Sequence, residues 1–126
     1  MGRGSICIIS SVFMLLLLTH ALWAEEKTEG KRMYLTYCSG CHGESGKGDG
    51  PAARSLPIKP TNHTDGAIMN QLSDKQLFDI ISKGGSAVDK SPFMPAWGSQ
   101  LKEKQIRDII SHIRSLAVPP YKPPGN

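Results

Sequence analysis

Cys38-Ser39-Gly40-Cys41-His42 puts two thiols and an imidazole within five residues. In the order Cys-x-x-Cys-His, one chemistry uses all three. The thiols add across the two vinyl groups of a haem, at the spacing those groups need, and the imidazole that follows lies beneath the iron as its proximal ligand. A redox centre held this way cannot dissociate. Other readings use fewer of the residues. A thioredoxin-like dithiol belongs in a βαβ setting, and no strand pattern flanks the motif. A structural zinc site takes four ligands, often with a second Cys or His pair. Beyond His42 and the N-terminal segment, only His63 and His112 remain, and not at paired spacing. A simple disulfide would leave His42 unexplained.

The elements around the motif are legible from periodicity and punctuation. Residues 25 to about 37 have helical spacing, with Met33 and Tyr37 at i, i+4 and Gly30 and Tyr34 on a neighbouring face. That helix delivers Cys38. Gly43 to Gly50 is glycine-rich but does not fit a phosphate loop, because Lys47 is followed by Gly48. It is expected to wrap the haem edge, with glycines where φ must be positive. From Pro51 to Leu72 the chain is proline-, polar- and loop-rich, and Pro57 and Pro60 block long helices. Ser73 and Gln76 form a capping-box pattern that opens a helix carrying Leu77, Phe78, Ile80 and Ile81, closed by Gly84 and Gly85. A second loop runs to about Gln100. A last helix covers roughly 102–116, with Ile106, Ile109, Ile110 and Ile113 on one face. Pro119, Pro120, Pro123 and Pro124 stop it and suggest an extended, mobile tail over 119–126. There are no internal repeats.

Residues 1–24 read as a secretory signal peptide. Arg3 is the positive end, Ile6 to Leu18 the apolar run and Ala24 a small residue for cleavage, although Leu22 at −3 is imperfect and Ala21 is the second choice. An uncleaved membrane anchor is the alternative. Cys7 would leave with the signal, so the mature chain would keep only Cys38 and Cys41. Cleavage would also remove Arg3, leaving 14 Lys and Arg against 11 Asp and Glu, a net charge of +3. No basic cluster dominates, which argues against nucleic acid as a partner. About 100 residues make a thin core, which a buried porphyrin would complete.

Helix, Cys-x-x-Cys-His, glycine-rich loop, helix, a Met-Pro loop and a terminal helix together resemble a class I monohaem c-type cytochrome, bacterial and periplasmic, over about residues 27–117. The resemblance implies an all-α, cytochrome c-like fold with three main helices and loops wrapped around one covalent haem, the domain spanning 25–118. It implies haem c bound through Cys38 and Cys41, with His42 as proximal ligand. The family's distal ligand is a methionine on a late loop, and Met94 in Ser91-Pro92-Phe93-Met94-Pro95 stands at that position. A thioether is soft and neutral, so His/Met ligation favours the ferrous state and raises the potential. Pro92 and Pro95 stiffen the backbone on either side. Ordinary packing is the plainer role for Met94. Met69 is the second candidate, Met33 reads as packing, and His63 could give a bis-histidine site but stands in a polar loop suited to solvent or a propionate. His112 reads as structural. The resemblance also implies that the Pro51 carbonyl receives the outer N–H of His42, that Gly30 and Tyr34 mark the crossing of the first and last helices, and that Trp97, Arg54 and Lys59 meet propionates. Lys102 replaces the usual Ser or Thr cap, so the last helix is expected to start differently, from Ser99.

The function that follows is single-electron transfer between Fe(II) and Fe(III), with no enzymatic activity of its own. Redox proteins are the expected partners, met by a monomer when free, with Lys47, Lys59, Lys83 and Lys90 able to guide acidic surfaces. The alternatives are a haem c subunit of a larger membrane or periplasmic oxidoreductase, including a membrane respiratory complex, and, less well supported, a peroxidase-type enzyme. A peroxidase needs an open iron position that Met94 would fill.

Overall fold

Four isoleucines explain why the last described helix forms where it does. Ile106, Ile109, Ile110 and Ile113 are all buried on one side of α5, Glu103–Leu116. Each gains about 1.5–3 kcal/mol from burial. A β-branched residue loses only a few tenths of a kcal/mol in helix propensity, so packing decides. In the computed structural model, which describes residues 25 and 27–123, the preceding elements are α1 (27–37), α2 (Ser39–His42), α3 (Gly66–Met69) and α4 (Asp74–Lys83). Two 3-10 turns, Pro51–Ser55 and Ser86–Val88, lie between them. Among the described residues there is no strand, only one isolated bridge between Asp65 and Val118. The described fold is small and mostly helical, as expected.

The core joins Met33 and Tyr34 of α1, Leu77 and Ile81 of α4, and the isoleucines of α5. At Gly30, α1 crosses α5 so closely that a Cβ would overlap the Asp108 carbonyl oxygen. The crossing inferred from Gly30 and Tyr34 is present. His112 has the structural role expected of it, its ring 5.0 Å from that of Tyr34.

The α4 helix begins at its capping box. The Ser73 hydroxyl accepts from Gln76 N–H at 3.2 Å, and the Gln76 side chain accepts from Ser73 N–H at 2.8 Å. It ends at Gly84, whose φ of 78° suits glycine. The α5 helix starts at Glu103, not from Ser99. The Gln105 side chain accepts the Lys102 N–H at 2.9 Å, so half a capping box works without a hydroxyl at the cap.

The 51–72 segment, where Pro57 and Pro60 block long helices, holds only a 3-10 turn and the four-residue α3, which Asp65 caps. Two other stretches differ from expectation. The glycine-rich loop braces the back of the motif and contributes no residue to the wall of the cavity that Cys38, Cys41 and His42 border. Gly48 N–H donates to the His42 carbonyl at 2.7 Å and Gly50 N–H to that of Cys41 at 3.1 Å. Gly48 has φ 73°, and a Cβ there would overlap the Pro60 carbonyl oxygen. The start of the proline-rich tail is docked. Pro119 accepts from the Asn70 side chain at 3.1 Å, and the Tyr121 ring lies 3.6 Å from the Arg114 guanidinium carbon. The signal segment at 1–24 and the tail end at 124–126 lie outside the described residues. No described helix is long and apolar enough to cross a membrane.

Candidate haem site

The motif turns on α2, directly after α1. Continuity is kept by Cys38 N–H donating to the Tyr34 carbonyl at 2.8 Å and His42 N–H to that of Cys38 at 2.9 Å. One helical turn therefore brings Cys38, Cys41 and His42 to the wall of a cavity of about 410 Å3, within the range of small-molecule and cofactor sites. The two cysteines are not joined in a disulfide. Burial, with Cys41 nearby adding to it, pushes the Cys38 thiol up to about 12.

The tautomer of the His42 ring is set by its one hydrogen bond. Its Nδ1–H donates to the Thr61 carbonyl at 3.0 Å. A carbonyl can only accept, so the proton is on Nδ1 and the Nε2 lone pair is free for a metal. Burial lowers the His42 pKa, and the Thr61 bond opposes that only in part, which favours the neutral ligand form. The acceptor is Thr61 and not Pro51. Pro51 opens a 3-10 turn, whereas the 60–63 segment is drawn over the imidazole by His63 N–H donating to the Gly46 carbonyl at 2.7 Å.

The remaining walls are mostly aliphatic. Ile58 and Pro60 come from the segment after the 3-10 turn, Ile68 and Met69 from α3, Leu77, Ile80 and Ile81 from α4, and Phe93, Met94 and Pro95 from the late loop. The late loop is tied to the end of α4. Gly85 N–H donates to the Met94 carbonyl, Trp97 N–H to that of Ile81 and Gly98 N–H to that of Ser82, each at 2.9 Å. Met94 is only partly buried. Met69 faces the same cavity but is 1% exposed and belongs to the core.

His63 is not solvent-facing. It is buried, its Nδ1 shares a hydrogen bond of 3.1 Å with the Tyr34 hydroxyl, and its ring stacks on His42 at 4.1 Å with 16° between planes. Two imidazoles that bind one iron from opposite sides point their nitrogens at each other. Rings stacked face to face lie side by side, so this arrangement does not suit a bis-histidine site. Burial, assisted by His42 and His112, lowers the His63 pKa to about 3 and keeps the ring neutral.

Of the proposed propionate contacts, Lys59 lies at the cavity wall, as does Lys90, whereas Arg54 does not. Trp97 packs edge-on against Tyr37 at 5.2 Å instead of lining the cavity. Lys83 is paired with Asp79 at 2.8 Å. A solvent-open recess of about 480 Å3 on the other side of α2 contains Glu44 and Asp49 but no cysteine, histidine or methionine. Among the described residues, no three His, Cys, Asp or Glu side chains are grouped to hold a bare metal ion. Two thiols, one imidazole with Nε2 unprotonated, a thioether and aliphatic side chains therefore border one cavity.

A sequence profile of the family described as cytochrome C oxidase, cbb3-type, subunit III, matches residues 25–113. The chain belongs to this family. It is a cytochrome c domain, an electron-transfer unit whose family cofactor is haem c. Among curated proteins it is similar to the cbb3-type cytochrome c oxidase subunit FixP of Bradyrhizobium diazoefficiens, 26% identical over 91 residues, 72% of this chain and 28% of FixP. Among solved structures it resembles a chain of the Kuenenia stuttgartiensis reducing HAO-like protein complex Kustc0457/Kustc0458, with TM-score 0.58, 29% identity, and coverage of 75% of this chain and 46% of that one. The KustC0563 c-type cytochrome shares the fold, with TM-score 0.58 and 19% identity over 70% of this chain and 96% of its own. The chain thus spans less than a third of FixP and under half of the complex's chain.

Sequence reasoning missed two residues at the site. Thr61 acts through its backbone carbonyl, which no side-chain pattern reveals. Arg114 donates to the carbonyls of Met69 and Leu72, and so fixes the cavity wall between α3 and α4 from outside. Its position at the end of an amphipathic helix is equally that of a solvated cation.

Proposed function

We propose that this chain carries one electron at a time on one haem c attached through Cys38 and Cys41, with His42 and Met94 as axial ligands. The observation that carries the reading is convergence: both thiols, the imidazole with its free Nε2 and the Met94 loop border one apolar cavity. When bound, the haem supplies a reversible Fe(II)/Fe(III) couple. The protein's part is to hold and shield it. Thr61 keeps the His42 proton on Nδ1 and makes the ring more basic. Pro92, Pro95 and the Gly85–Met94 backbone bond hold the thioether in place. The aliphatic walls exclude water, which disfavours the more highly charged ferric form and adds to the rise in potential from methionine. Met94 is preferred to Met69 because its removal leaves the core intact and its loop is anchored by backbone.

The names of FixP and of the HAO-like complex support a second reading, in which the same domain serves as a permanent subunit of a larger oxidoreductase. Lys59 and Lys90 at the cavity wall suit weak docking to an acidic redox partner in either case. Export to the periplasm with cleavage after Ala24 completes the proposal, and the purified protein should begin at Glu25.

A potentiometric titration tests the carrier reading. A single one-electron transition, with ferrous protein that does not bind carbon monoxide, is the expected result. Rapid carbon monoxide binding by the wild type would mean an open iron position and would favour peroxidase-type chemistry.

A further inference from the structure

We propose that His63 is a positioning residue for the proximal ligand: clamped by the buried Tyr34 hydroxyl, its flat face sets the rotation of the His42 ring. The inference rests on His42 being the proximal haem ligand. The hydrogen bond from His42 Nδ1 to Thr61 fixes one point of the imidazole. A single hydrogen bond tolerates a range of angles, so the ring can still swing about its Cβ–Cγ bond. The His63 ring, 4.1 Å away and 16° from parallel, blocks that swing.

His63 is itself held at several points. Its N–H is bound to Gly46, and its Nδ1 meets the Tyr34 hydroxyl at 3.1 Å. Tyr34 is fully buried and backed by His112 at 5.0 Å. On the loop side, Gly46 has φ 79°, and a Cβ there would overlap a Leu116 methyl and crowd the His63 Cβ at 3.3 Å, so glycine suits the close packing around His63. A buried polar ring costs free energy unless partnered, and Tyr34 supplies the partner. The result is a chain running Tyr34, His63, His42 and ending at the metal-facing nitrogen.

In a His/Met haem the imidazole plane and the thioether lone pair together set which iron orbital holds the unpaired electron of the low-spin ferric state, so with Met94 unchanged a turn of the imidazole shifts that balance. The order of the haem methyl proton resonances therefore reports ring rotation, which stability alone does not move. In the haem-loaded full-length protein, His63→Ala should reorder those resonances. His63→Phe, which restores a flat face, should return them toward the wild-type order. Tyr34→Phe, which removes only the hydroxyl, should shift them in the same direction as His63→Ala, by less. A haem-loaded His63→Ala protein with the wild-type methyl order overturns the proposal. If that variant does not mature, Tyr34→Phe decides: a shift supports the clamp, and an unchanged spectrum overturns it. Intact mass separates the two levels of inference. Wild-type protein lacking one covalent haem would remove the haem reading and this one with it, whereas haem present with methyls unmoved removes only this one.

Discussion

Replacing Arg114 with Met should destabilise the domain by about 3 kcal/mol, taking its charge-assisted hydrogen bonds at about 1.5–3 kcal/mol each. The side chain is 10% exposed. Its Nη1 donates to the Met69 carbonyl at 2.8 Å, Nη2 donates to that of Leu72, and Nε donates to Asp74 at 2.9 Å. The two carbonyl bonds dominate, discounted because water can reach part of the vacated space. The Asp74 carboxylate is 57% exposed, so that pair adds little. Met keeps most of the aliphatic stem and isolates the loss of the guanidinium. In a domain of this size each kcal/mol moves the midpoint by roughly 4–8 °C, so the expected fall is about 12–24 °C. Lys keeps the charge but, as a point donor, cannot span both carbonyls, and should recover about half. Thermal unfolding of the haem-loaded protein, followed by circular dichroism, measures both. An Arg114→Met protein within about 0.5 kcal/mol of wild type, the range of ordinary surface changes, would refute the clamp.

Gly30→Ala forces a methyl onto the Asp108 carbonyl oxygen. Backbone yields poorly, so the loss should fall at the upper end of the usual 1–3 kcal/mol for overpacking, about 3 kcal/mol in a urea titration. An unchanged midpoint would mean that the helices cross elsewhere. Met94→Ala should abolish the weak near-infrared sulfur-to-iron band, lower the potential and admit carbon monoxide. Met69→Ala should keep the band while losing about 2–5 kcal/mol of stability, as a buried methionine would. The opposite pattern would exchange the two assignments.

What was legible in the sequence was local. Cys38, Cys41 and His42 meet on one helical turn, Ser73 and Gln76 close a box three residues apart, and the α5 isoleucines repeat at the helical period, so short spacing carries each of them. Met94 stood out as a candidate because prolines frame it. The remainder depends on contacts between distant positions. Tyr34 meets His63 across 29 residues, and Arg114 reaches Met69 across 45. His63 stands among polar neighbours that describe a surface loop, yet the glycines of 43–50 let the chain fold back and bury it. The Pro51 expectation failed for a related reason: any residue offers a carbonyl, so only the path of the backbone selects Thr61. The tail shows the same limit, since a proline-rich composition does not reveal that Tyr121 finds a guanidinium to lie on.

Covalent attachment is the claim on which the account depends, and acid-acetone extraction followed by intact-mass measurement tests it most directly. The haem should stay with the polypeptide after denaturation, the mass should equal the mature chain plus one haem, and Cys38→Ala should retain at most one linkage and mature poorly. Haem that extracts freely into the solvent from the wild-type protein would contradict the assignment of Cys38 and Cys41.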